Sequence, residues 1–193
     1  MGTSKLREYI ALFAAILTLV GIGASAHPFI LIFCYLVHEA GHLLFARLCG
    51  AQIKKISVGV FKLALGYDSA MLSYKREFLV CFGGILFNLL FAILALALPL
   101  EKTQGVEFFL ACNFSLALIN LYPVSILDGA RLLKLTLLGI FSHERAEKIS
   151  NAVSFVAVIL LWLFAIYFQL VFSANISTFV ISVFLLVQLC FSL

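Results

Sequence analysis

Apolar runs near residues 9–26, 28–49, 78–100, 106–127, 151–173 and 175–193 are separated by shorter polar intervals, and each run suits one membrane-spanning helix of about 20 residues. The pattern predicts an all-α membrane protein with about six transmembrane helices. Two intervals are longer, 51–76 between the second and third spans and 129–150 between the fourth and fifth. In the first of them, IKKISVGVFKLAL at 53–65 alternates Ile56, Val58 and Val60 with Ser57 and Gly59, the period of a strand. A hairpin on the lipid surface and a solvated loop both fit that stretch.

Charge orients the spans. With the N-terminus in the cytoplasm, Lys5, Arg7, Arg47, Lys54, Lys55, Lys62, Lys75, Arg76, Arg131, Lys134, Arg145 and Lys148 fall on one side, and Lys102 alone falls on the other. This asymmetry follows the positive-inside rule, so the net charge of +4 is topological and makes no case for nucleic acid. Composition agrees: 64% of the 193 residues are hydrophobic, mean hydropathy is +1.18, and 11% are charged, against roughly a quarter in soluble domains. One polytopic membrane domain, 1–193, is expected. Lys5 and Arg7 before an apolar run ending in Ala24-Ser25-Ala26 also fit a cleavable signal peptide, as an alternative to a retained first helix. The five cysteines lack CxxC spacing and lie in or beside apolar runs, as buried small hydrophobes do.

Against this background VHEAGHL, at 37–43, is anomalous. His38 lies about 15 Å along a helix starting at Pro28, near the middle of a hydrocarbon layer about 30 Å thick. Ionisable groups at that depth are costly, and where they occur they are usually functional and partnered. His38 and His42, at i and i+4, share a helical face and can grip one ion; Glu39 sits beside them to handle a water proton. HExxH on a helix is the zinc-hydrolase pattern, although the same residues could form a packed polar cluster.

Catalytic zinc takes three protein ligands and leaves a position open, so a third donor is needed at the same depth. Glu8, Asp68, Glu77, Glu101, Glu107, Glu144 and Glu147 fall in tails, loops or span edges, as do His27 and His143. Asp128, in NLYPVSILDGARLL, remains. A straight helix from Val106 would carry it about 33 Å, to the far membrane face, so the fourth helix must break. Pro123 can end that helix near Asn120–Leu121, with a new helix starting near Asp128 or Gly129. The alternative is an N-cap aspartate at the membrane surface.

The two motifs together resemble the site-2 protease family of intramembrane zinc metalloproteases, peptidase family M50. That family carries HExGH in one span and NxxPxxxxDG in a later one, matched here by HEAGH at 38–42 and NLYPVSILDG at 120–129. The resemblance covers roughly 28 to 140. It implies one zinc ion held by His38, His42 and Asp128, and water activation by Glu39. Gly84-Ile85-Leu86-Phe87-Asn88 is similar to the family's GPxxN, with Ile where Pro is usual. Asn88 and Asn120 thereby become candidate donors to the oxyanion at the scissile carbonyl; Asn113 has no such support and is expected to bond a carbonyl of a neighbouring helix. Ile126 and Ala130 replace a proline and a glycine often seen around the aspartate. Family members place short strands or a re-entrant loop where 51–76 lies, and an edge strand there, at Ser57, Val58, Gly59 and Val60, could pair with an unwound substrate. No PDZ-like or CBS domain fits within the chain, which is nearest to the compact bacterial branch that includes proteases of sporulation pro-sigma factors.

The implied function is an intramembrane metalloendopeptidase in a bacterial plasma membrane, cutting a transmembrane or membrane-associated protein within or near the bilayer. The alternatives are a metal transporter using the same three ligands and an inactive family member that binds membrane proteins. The sequence leaves the substrate and the oligomeric state open.

Overall fold

A computed structural model of the protein describes residues 28–172, apart from 52, 60–61, 68–71, 100, 102 and 126. The runs at 9–26 and 175–193, and with them two of the six expected spans, lie outside the described residues, as do Val60 and Ile126. Within that range the elements are α1 (Pro28–Leu48), β1 (Ile53–Gly59), β2 (Lys62–Tyr67), α2 (Tyr74–Ala97), α3 (Gln104–Leu121), α4 (Asp128–Leu138) and α5 (His143–Phe172). Four of the described helices, α1, α2, α3 and α5, are long and apolar enough to cross a membrane. The chain is an integral membrane protein. β1 and β2 run antiparallel, with Ile56 opposite Leu65 and Gly59 opposite Lys62.

The helices pack with their large side chains outward. Ile32, Leu36, Leu90, Ile93, Leu118 and Leu163 are exposed, whereas the buried positions hold mostly small or polar residues: Cys34, Ala46, Cys81, Ala92, Ala117, Asn88, Asn113 and Ser154. Lipid makes the outer surface favourable, and small residues let helix backbones approach. α1 and α2 approach closely where a Cβ on Gly41 would overlap the Gly83 carbonyl. α2 is the central element, in contact with α1, α3 and α4. Its Cys81 and Ile85 pack with Ala117 of α3 and with Leu132 and Leu135 of α4.

Two features place α4. α3 stops at Leu121, and Tyr122 to Ser125 and Leu127 are non-helical before α4 opens at Asp128, so the helix breaks at Pro123 as its missing amide and ring require. Bonds from Val124 N–H to Tyr122 C=O (2.8 Å) and from Leu127 N–H to Val124 C=O (2.8 Å) satisfy part of this backbone internally. The Tyr122 hydroxyl donates to Ala157 C=O of α5 at 3.1 Å, and Val124 packs against Ala157 and Val158.

The polar interval 129–150 carries the helix expected to start near Asp128 or Gly129 and, beyond it, the first turns of α5. α5 begins at His143, eight residues before the apolar run, because its first turns form a polar helical face. Lys148 and Glu144, at i and i+4, bond there at 2.8 Å.

Candidate metal centre

His38 and His42 project from one face of α1 toward α2 and the start of α4. Their rings meet edge to face with centroids 4.7 Å apart. Asp128, in the first turn of α4, completes a near-equilateral set. Its Oδ2 lies 3.0 Å from His38 Nε2 and 3.1 Å from His42 Nε2, and the two Nε2 atoms are 3.1 Å apart. His38 is buried, and His42 and Asp128 are nearly so. Residues separated by 90 positions in the chain thus converge on one point.

The hydrogen bonds behind the rings decide what that point can hold. His42 Nδ1 lies 2.8 Å from the carbonyl of Val80, which can only accept, so Nδ1 carries the hydrogen and Nε2 is left with a lone pair. His38 Nδ1 lies 2.7 Å from Asn88 Oδ1, with the same consequence. With both imidazoles neutral, two lone pairs and a carboxylate oxygen face one another. That arrangement is repulsive unless a cation sits among them, and it is the support that metal-binding histidines usually have. The spacing fits as well: donors about 2.0–2.2 Å from a tetrahedral ion lie about 3.3–3.5 Å apart, within a few tenths of an ångström of the spacing here.

α2 leaves space beside the two imidazoles. A Cβ on Gly84 would fall 2.8 Å from His38 Nε2 and 2.5 Å from His42 Nε2. Gly129 acts one residue after the ligand. A Cβ there would overlap the carbonyls of Leu121 and Tyr122, so its absence lets α4 begin against the end of α3.

The remaining expected residues are placed as follows. Glu39 follows His38 on α1, half-buried, with the Tyr35 hydroxyl of the preceding turn hydrogen-bonded to its carboxylate. Asn88, expected to donate to an oxyanion, is fully buried behind His38, with its amide hydrogens on Cys34 C=O (3.1 Å) and Asn113 Oδ1 (2.9 Å). With both donors engaged it supports the ligand, and its geometry does not suit the oxyanion role. Asn120 donates to Leu116 C=O at 2.9 Å. Ser57, Val58 and Gly59 lie in β1, with Ser57 opposite Ala64 and Val58 opposite Leu63 of β2.

Sequence reasoning missed Gly84 as the source of space, although it had marked the residue within a motif. It also missed a cavity of about 480 Å³ beside α4, lined by Glu77, Ser125, Arg131, Lys134, His143 and Ser154 among others. Arg131 pairs with Glu77 at its edge and ties α4 to the start of α2. None of the three ligand residues lines this cavity.

The fold and the His-His-Asp cluster define a class of membrane protein with a candidate cation site among its helices. Residues 100–164 match the model of peptidase family M50. The structure is similar to that of the site-2 protease from Methanocaldococcus jannaschii, with a TM-score of 0.65 and 20% identity over 90% of this chain and 84% of that one. No curated protein sequence matches the chain. The family-model match and the shared fold together liken the chain to the site-2 proteases.

Proposed function

We propose that the protein is an intramembrane zinc endopeptidase that cuts a transmembrane or membrane-associated protein substrate, with His38, His42 and Asp128 as the ligands of one zinc ion and Glu39 as the general base. The observation that carries this reading is the convergence of three candidate ligand atoms within 4.8 Å of one another, two of them from the apolar helix α1. When bound, zinc would polarise a substrate carbonyl and acidify water near neutral pH.

The chain's residues do the rest. Val80 and Asn88 hold the two imidazoles with Nε2 toward the ion. Asp128 contributes the negative charge that makes a two-imidazole site favourable for a dication. Glu39 takes a proton from the attacking water and passes it to the leaving amine, and the Tyr35 hydroxyl orients its carboxylate meanwhile. Asn120, at the end of α3, is the remaining candidate donor to the oxyanion.

A substrate helix hides its peptide bonds, so it must be held extended to be cut. β1 is the element suited to this by strand addition. A Val58→Pro enzyme is expected to fold and load zinc but to cleave slowly, because proline removes a backbone donor and disturbs pairing. Normal cleavage by that variant would dismiss the strand.

The deciding experiment is Glu39→Gln in a membrane that also expresses a tagged substrate. The variant should retain one zinc per chain and lose cleavage by about 10²-fold or more. Undiminished cleavage would overturn the mechanism, and zinc flux into vesicles bearing the wild type would point to a transporter instead.

A further inference from the structure

We infer that Asn113, on α3, is a positioning residue for the metal centre: acting through Asn88, it locks the tautomer and orientation of the His38 imidazole. This rests on the reading of His38 as a metal ligand.

The two imidazoles are held by unlike groups. His42 faces a backbone carbonyl, whose polarity is fixed. His38 faces the side-chain amide of Asn88, which can present either an oxygen or an NH₂ depending on how it is turned. If Asn88 turned over, its NH₂ would face Nδ1 and demand a lone pair there. The hydrogen would move to Nε2, the atom 3.0 Å from Asp128, and the ligand would be lost. Something must therefore fix Asn88, and the structure supplies a chain of bonds that ends on groups of fixed polarity.

Phe109 C=O, one turn before Asn113, can only accept, and takes a hydrogen from Asn113 Nδ2 at 2.9 Å. The other Asn113 amide hydrogen goes to Cys34 Sγ at 3.1 Å. With both hydrogens so directed, Asn113 turns its oxygen to Asn88, whose Nδ2 donates to it at 2.9 Å. The second Asn88 hydrogen meets Cys34 C=O at 3.1 Å, another group that can only accept. Asn88 Oδ1 is thereby left to face His38 Nδ1 at 2.7 Å. Each hydrogen of the two amides has one acceptor, and reversing either amide would set like groups against each other. Cys34, Asn88 and Asn113 are each 0% exposed, so water cannot easily supply an alternative. Such fully matched polar networks specify one arrangement.

Cys34 has a place in this too. It stands one turn before His38 on α1, and both its carbonyl and its sulfur take part. The relay thus joins α1, α2 and α3 behind a single ligand, while His42 is held by α2 alone.

The test uses the full-length protein with ¹⁵N-labelled histidine, comparing wild type with Asn113→Leu, Asn113→Ser and Asn88→Ala. Serine can keep the bond to the carbonyl four residues back but cannot reach Asn88, so it separates loss of the relay from loss of a buried polar group. The zinc-free wild type should show His38 as the single Nδ1–H tautomer by NMR, and both Asn113 variants should show a mixture. Zinc affinity, measured by chelator competition, should fall about 3–10-fold in the Asn113 variants. Asn88→Ala, nearer the ion, should lose about 10–100-fold, the range for direct partners of metal-binding histidines. Adding Asn113→Leu to Asn88→Ala should weaken binding little further, because the first change already cuts the relay.

A folded Asn113 variant with wild-type affinity and an unmixed tautomer would overturn the inference. So would full additivity with Asn88→Ala, which would mark Asn113 as structural only. A wild type that binds no zinc would instead refute the proposed function, while the tautomer readout would still report on the relay.

Discussion

At the scale of single residues, a missing methyl group matters as much as the ligands. Gly84 leaves open the space into which His38 and His42 point, and an alanine Cβ would stand within bonding range of both Nε2 atoms. Gly84→Ala should therefore keep its helical circular dichroism but bind close to no zinc, as measured by metal analysis of the purified protein. The pairing of His38 with His42 was legible in the sequence because i, i+4 spacing is a local property: HEAGH announces a shared helical face without any knowledge of the fold. The role of Gly84 was not legible, because what a glycine makes room for depends on which helix lies opposite. Asn113 was expected to bond a carbonyl of a neighbouring helix. Its carbonyl partner is instead Phe109 of its own helix, and its contact across helices is with the Asn88 side chain, 25 positions away on α2.

At the scale of elements, the break between α3 and α4 decides whether a centre exists. Pro123 revealed it in the sequence because proline acts through its own covalent structure. What holds the broken ends together comes from contacts that no local pattern records. Gly129→Ala would push α4 away from the Leu121 and Tyr122 carbonyls and withdraw Asp128 from the imidazoles, so zinc affinity should fall by more than about tenfold, the loss typical of displaced metal-site groups. Tyr122→Phe removes the bond to Ala157 and should lower stability by about 0.5–1.5 kcal/mol, the net worth of one hydrogen bond, in thermal unfolding of the detergent-solubilised protein. The early start of α5 escaped sequence reading because its first turns carry charges. Hydropathy recognises helices by their lipid-facing surface and so misses the part exposed to water.

At the scale of the whole molecule, composition identified a membrane protein, but it could not say which face of each helix looks inward. Helices that are apolar all round give no periodic signal, and here small and polar residues make up most of the interior alongside a few larger ones such as Ile85 and Leu132. Because α1, α2 and α4 meet at the centre, metal binding and packing are coupled. Chelation should lower the unfolding temperature of the wild type and leave that of His42→Ala unchanged; a ligand at 100 times its Kd stabilises a fold by about 2.7 kcal/mol. The interrupted helix has a consequence for the bilayer itself. The last carbonyls of α3 and the first amides of α4 lack helical partners, and lipid offers them none. The break thus creates a hydrophilic foothold inside the hydrocarbon layer, beside Asp128. The proposed hydrolase would consume water with every turnover, and the same interruption that brings Asp128 to the two histidines gives that co-substrate a place to stand.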